Sequence, residues 1–308
     1  MRFVVCGEAL IDLMPEVQLS PQESRWIARS GGGPMNSAVA LAKQGLDTHF
    51  LGRLSSDAFG RQLRSHLEEA GVALDLAVDT EDPTTMAVVS LDDQGKASYA
   101  FHFDGTTNFN WKAEEFPVLR AEDWLHFGSI GAVIDPGHAR VLEFVGATDA
   151  AVSFDINVRP STMPDRAEYF ARVTAFMAAV GSGGGIVKAS DEDIAWLVDD
   201  AEGDPLGYAE AWAEEYGLAL FVVTLGADGV GAVTRDGRRV QVPGFSIDVV
   251  DTVGAGDTFM AGFLAAYSEN PADLEGALRR GAAAAAIVCT RKGAHPPTAA
   301  EVDALLAQ

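Results

Sequence analysis

Positive charge is scarce in this chain. Of 308 residues only 22 are Lys or Arg, against 45 Asp or Glu, for a formal net charge of −23 at pH 7. A field of that sign repels phosphate backbones and anionic lipid surfaces. It argues against a nucleic-acid partner and against membrane docking. It leaves room for a small anionic substrate, because a few local groups override the mean field. Cysteine is almost missing. Cys6 and Cys289 stand far apart in apolar surroundings, which speaks against a thiolate zinc site or a disulfide framework and fits a reducing cytoplasm. Long hydrophobic runs are missing too. The most apolar stretch, 282–289, is too short to span a bilayer, and Glu8 and Asp12 break up the opening where a signal peptide would be continuous. There is no internal repeat and no GxxxxGK phosphate loop, so the P-loop fold is not the vehicle.

What is present is an alternation of short apolar runs with amphipathic ones. Segments 3–6, 48–51, 124–127, 152–156, 185–187 and 219–224 read as buried strands. Segments 36–44, 58–70, 136–145, 166–180, 191–198 and 206–216 read as helices, the second capped by Asp57 and ended by Gly71. That βαβα order predicts a parallel sheet covered by helices on both faces. Two stretches interrupt it. Residues 84–103 predict a hairpin turning at Asp92-Asp93-Gln94-Gly95, and 14–28 is polar and extended. A further hairpin, 231–234 with 238–242, turns at Asp236-Gly237.

The sharpest segment for chemistry is 251–262. Gly254, Ala255 and Gly256 precede a buried helical run, 259–267, so their amides should point outward at a helix N-terminus and bind an anion. Asp257 stands in that first turn. It is either a helix cap or a base that takes a proton from a nucleophile. Gly31-Gly32-Gly33 also opens a helix, with Asn36 at the rim offering donor and acceptor. Asp12, just after the first strand, should lie at the carboxyl edge of the sheet, where open α/β folds bind ligands. Arg159 in Asp155-Ile-Asn157-Val-Arg159 can hold an anion or a hydroxyl. Thr224, Gly226 and Gly229 follow another strand and suit phosphates. Lys188-Ala-Ser190-Asp-Glu-Asp193 follows the strand between; its acids either hold Mg²⁺ through water or simply start a helix. Each segment follows a strand, so all should share one sheet edge. An anion hole, a carboxylate base, a polyol-friendly loop and a metal cluster together suit phosphoryl transfer to a hydroxyl.

Residues 31–60 and Asp251-Thr-Val-Gly-Ala-Gly-Asp257 resemble, in order and separation, the two signatures of the ribokinase-like sugar kinases of the phosphofructokinase B type. The likeness runs from residue 3 to about 298. It implies a three-layer α/β/α sandwich with a mostly parallel central sheet and a small β lid, formed by about 13–28 and 84–108 of a single kinase domain spanning 1–308. It implies that Asp257 is the catalytic base and that Gly254, Ala255 and Gly256 form the anion hole. Asp12, Gly31, Gly32, Asn36, Phe101 and Arg159 would meet the sugar. Lys188, Ser190, Thr224, Gly226 and Gly229 would line ATP, Asp193 would serve Mg²⁺, and Asp251, Val253 and Gly293 a K⁺ site.

The fructokinase branch is the most similar, through Gly7-Glu8-Ala-Leu-Ile-Asp12, Asp155-Ile-Asn157-Val-Arg159-Pro160 and Lys188-Ala-Ser190-Asp-Glu. The chain departs from its relatives at His102-Phe103, where a Tyr-Arg pair is usual in the lid, at Asp193, where Glu is usual, at Ala282 near the adenine, and at Pro297, which lacks a hydroxyl. The expected activity is ATP-dependent phosphorylation of D-fructose, with 2-keto-3-deoxygluconate, another carbohydrate or a nucleoside as alternative acceptors. Phe103 at the position of the usual lid arginine predicts a neutral sugar end. The alternative from another class is a sugar-binding regulator without catalysis. The apolar lid edge predicts a homodimer.

Overall fold

The computed structural model describes the backbone of residues 1–91 and 97–308. In the main sheet β1 (Phe3–Cys6) lies between β4 (Thr48–Leu51) and β9 (Trp124–Gly128), and β10 (Ala151–Asp155), β11 (Ile186–Ser190) and β12 (Leu220–Thr224) continue beyond β9. These strands are parallel. A hairpin of β13 (Val230–Thr234) and β14 (Arg239–Val242) extends the edge antiparallel.

The strands are apolar on both sides because both faces are covered. Phe3 and Val5 enter one core, with Met35 of α1 (Gly33–Lys43), Leu63 of α2 (Ala58–Glu69), Phe259 of α8 (Ala255–Tyr267) and Leu278 of α9 (Leu274–Cys289). Val4 and Cys6 enter the other, with Ile130 of α3 (Ile130–Val133), Val141 of α4 (Gly137–Ala147), Phe176 of α5 (Arg166–Ser182), Ile194 of α6 (Asp191–Val198) and Leu206 of α7 (Pro205–Tyr216). α10 (Ala299–Leu306) packs on α9.

A second sheet has the order β3 (Glu23–Gly31), β2 (Leu10–Ser20), β7 (Met86–Leu91), β8 (Ala97–His102). β5 (Arg53–Ser55) and β6 (Val78–Thr80) form a separate parallel pair. Asp57 caps α2 through Gly60 N–H (2.7 Å) and also accepts from Thr84 N–H (2.8 Å), tying that helix to the start of β7. The expected turn at 92–95 lies outside the described residues.

The extended stretch 14–28, expected in the β lid, forms a long antiparallel hairpin, β2 with β3. Asp12 is a strand residue of this second sheet.

Candidate active site

β1, β9, β10, β11 and β12 run parallel, so their C-terminal ends share one edge, and the candidate segments converge there. Gly254 takes a left-handed conformation (φ 77°) as N-cap of α8. The first intrahelical bond runs from Thr258 N–H to Gly254 O, which leaves the Gly256 and Asp257 amides without an intrahelical acceptor at the positive end of the helix dipole. Gly256 is required by close approach, since a Cβ there would stand 2.8 Å from Lys188 Nζ.

Asp257 is 7% exposed and its Oδ2 accepts from Asn36 Nδ2 at 2.9 Å. The two glycine segments thus meet across 221 residues of chain. Burial and the negative charge of Asp155 push the Asp257 carboxyl from 3.8 up to about 6, against the Asn36 hydrogen bond, Lys188 and Arg159. A buried carboxylate with raised proton affinity beside free helix amides fits a base better than a cap.

Other candidate residues come from the second sheet. Arg29, Asp12, Ala87 and Phe101 form one rung across β3, β2, β7 and β8, so their side chains share a face. A Cβ on Gly31 would stand 2.4 Å from Asp12 Oδ2, which places the carboxylate against the glycine loop, where Gly32 is the N-cap of α1. Burial pushes Asp12 up to about 6, and Arg159 and Arg29 pull it back. Arg29 was not legible in the sequence, because only the β2–β3 register puts it beside Asp12. It supplies a cation beside Asp12 from β3, while the position where relatives carry the lid arginine is Phe103. Phe103, the matching position, packs edge-on against Phe109 instead, and His102 is exposed. Phe101 is half-buried and stacks on Tyr99.

The resemblance assigns Lys188 to the nucleotide. The side chain is buried beneath Gly256, with Nζ 3.0 Å from both carboxylate oxygens of Asp155. Ser190 is the N-cap of α6, and Asp193 completes its capping box. The Asp193 oxygens accept from Val158 N–H and Ser190 N–H, both at 2.8 Å. The helix-start alternative therefore accounts for that carboxylate's geometry. Thr224 ends β12, Gly226 opens the short turn after it with free space above, and Gly229 is pressed against the Val242 carbonyl. Asp251 joins the positions expected at a cation site, accepting from Val253 N–H (3.1 Å) and Gly293 N–H (2.8 Å). Arg159 is exposed, with Nη1 donating to Val158 O and its own N–H to the Tyr169 hydroxyl.

Glu8 is a further buried carboxyl at this edge. Burial pushes it up to about 7, and its Oε2 accepts from Gly131 N–H at 2.9 Å, fixing the turn after β9. Ser129 (φ 59°) and Asn157 (φ 44°) carry positive φ in the turns after β9 and β10, where strain concentrates at functional sites.

The sequence pattern of pfkB family carbohydrate kinases matches residues 2–300. A fructokinase of Rhizobium leguminosarum bv. trifolii is 37% identical over 264 residues, which cover 84% of this chain and 78% of that protein. Among solved structures, a fructokinase double mutant from Vibrio cholerae O395 bound to fructose, ADP and potassium superposes with a TM-score of 0.85 at 26% identity, covering 99% of this chain and 98% of that one. Aminoimidazole riboside kinase from Salmonella enterica, complexed with its riboside and an ATP analogue, gives a TM-score of 0.84 at 26% identity over 100% of both chains. The α/β/α layers, the β side sheet and the joined glycine signatures thus agree with the match over nearly the whole chain: it belongs to the pfkB family of carbohydrate kinases.

Proposed function

We propose that this protein is a fructokinase, transferring the γ-phosphoryl group of ATP to a hydroxyl of D-fructose. The observation that carries the reading is the contact of Asn36 with Asp257 beside the open amides of α8. It supports reading Asn36 as an amide for sugar hydroxyls, Asp257 as the base and the α8 amides as the anion hole. The hydroxyl proton ends on Asp257 as the sugar oxygen forms its bond to phosphorus. The bond to the bridging oxygen breaks, and its electron pair leaves with ADP. The helix amides face the charge on the transferring group.

The residues present fit a nucleotide. The free amides of α8 suit a phosphate, and Gly226 leaves open space at the end of β12. When bound with the nucleotide, Mg²⁺ would supply neutralisation of phosphate charge. Among the described residues no cluster of three His, Cys, Asp or Glu could hold a metal directly. Asp193, committed to two backbone donors, would reach the ion only through water. Asp251, Val253 and Gly293 are the positions for K⁺, in keeping with the potassium in the Vibrio cholerae structure.

The second sheet is read as the lid, with Asp12, Phe101 and Arg29 on its inner face. Val17, Leu19, Trp26, Ile27 and Tyr99 are each at least 40% exposed on it, which supports a homodimer through the lid. No helix among the described residues is long and apolar enough to cross a membrane. The two buried free cysteines support a cytoplasmic location.

Arg29 and Arg159, both drawing on Asp12, favour one second reading, an acidic sugar such as 2-keto-3-deoxygluconate. The test is kcat/KM for D-fructose, D-ribose and 2-keto-3-deoxygluconate at pH 7.5. Fructose should lead. A tenfold preference for the acid, about 1.4 kcal/mol of transition-state binding, overturns the fructose assignment. No ATP turnover on any sugar would favour the regulator.

A further inference from the structure

Asp155 and Lys188 are two buried charges that the transfer described above does not use. They are register partners on β10 and β11, with side chains 6% and 4% exposed. The ammonium donates to both carboxylate oxygens at 3.0 Å; burial pushes the Asp155 carboxyl up, and Lys188 pulls it back towards the ionised form. Burial alone would push Lys188 down, but Asp155, Asp193 and Asp257 outweigh it and hold the lysine above its ordinary range. The pair lies directly behind the anion hole. A Cβ on Gly256 would meet Lys188 Nζ at 2.8 Å and Asp155 Oδ2 at 4.0 Å. Asp155 and Asp257 also line one cavity of about 10 Å³, together with His126, Ser129 and Asn157.

We propose that Asp155 and Lys188 are positioning residues for the base: Lys188 keeps Asp155 ionised, and that fixed negative charge makes Asp257 a stronger proton acceptor. The proposal rests on Asp257 being the base. A lone carboxylate at 3.8 would be a poor acceptor for a sugar hydroxyl near neutral pH, and basicity matched to the working pH is what a general base needs. Burial supplies part of the match and Asp155 the next part. Without Lys188, Asp155 would escape repulsion by taking up a proton itself, and its effect on Asp257 would vanish. The charges that weigh most on Asp257 come from neighbouring elements. Asp155 on β10 raises it, while Lys188 on β11 and Arg159 after β10 lower it. His126 on β9 is held neutral by burial, at about 4, and donates no field at working pH. Asp155 weighs on Asp257 more than Lys188 does, so the pair as a whole raises it.

The experiment is the pH dependence of kcat/KM for D-fructose in Asp155→Asn and in the double variant Asp155→Asn/Lys188→Gln. The double variant removes both charges together and leaves a neutral hydrogen-bonded pair, so it is the one expected to fold if the single variant does not. The acid limb should move to lower pH by about half to one unit, further in the single variant than in the double, with the plateau kcat reduced about threefold by the weaker base. An acid limb at the wild-type pH in a folded variant overturns the proposal. Asp257→Asn run alongside separates the two ideas. If Asp257→Asn is inactive and the Asp155 limb stays put, only the positioning role fails. If Asp257→Asn turns over normally, the base assignment fails and takes the positioning role with it.

Discussion

Replacing Asp257 by Asn should make the protein slower and more stable at once. The variant keeps the shape and can still accept the Asn36 hydrogen bond through its amide oxygen, now found at 2.9 Å on Oδ2. It cannot take a proton. The expected loss in kcat is about 10²–10⁴-fold, equivalent to roughly 3–5 kcal/mol of barrier, with little change in sugar affinity. The wild type should lose activity as pH falls through about 6, because the base works only when ionised. The stability effect follows from the same carboxyl. Its folded value of about 6 lies above the ordinary 3.8, so the folded state binds the proton more tightly than the unfolded chain. Its contribution is therefore most favourable below pH 4, falls through the window between about 4 and 6, and is flat above it. Holding it ionised at pH 7.5 costs the folded state about 3 kcal/mol at most. Asn removes that cost, so its urea midpoint should exceed the wild type's at pH 7.5 and approach it at pH 4.5. A variant retaining more than a tenth of wild-type kcat would refute the base. Equal midpoints at pH 7.5 would refute the strained carboxylate.

Other consequences are as direct. Asp193→Ala leaves the Val158 and Ser190 amides without an acceptor, a loss on the order of 2 kcal/mol or more, read by urea unfolding, and should raise the Mg²⁺ needed for half-maximal rate through the lost water-mediated contact. A normal Mg²⁺ titration would leave Asp193 as a helix start alone. The double variant Trp26→Arg/Ile27→Asp should be monomeric by light scattering at micromolar concentration where the parent is a dimer; a monomeric parent refutes the lid interface. Asp251→Ala frees the Val253 and Gly293 amides and should abolish any activation by K⁺ over Na⁺ in steady-state assays. Retained activation would place the cation elsewhere.

The main sheet was legible because its strands are buried on both faces and so read as short apolar runs bounded by turns and helices. Asp57 as a cap and Asp236-Gly237 as a turn were legible because the chemistry is local to a few residues. α10 carried a readable signal that went unused: Thr298 and Glu301 stand at capping-box spacing and form one. The stretch of β2 and β3 read as extended, but its pairing was not legible. Val17 and Leu19 alternate with Glu16 and Gln18, yet both are exposed, so the alternation marks no buried face. The residues that matter most around Asp257 divide the same way. Gly254, Gly256 and Asp257 announce themselves by adjacency. Arg29 reaches Asp12 only through a cross-strand rung, and Lys188 reaches Asp155 only through the register of β10 with β11, 33 residues apart. Motifs record the groups that must follow one another along the chain to build a turn and its amides. The charges that tune those groups are chosen by neighbouring strands, where any acid or base at the right register position serves. In this chain the base is therefore legible in the sequence, while the environment that sets its strength is legible only in the fold.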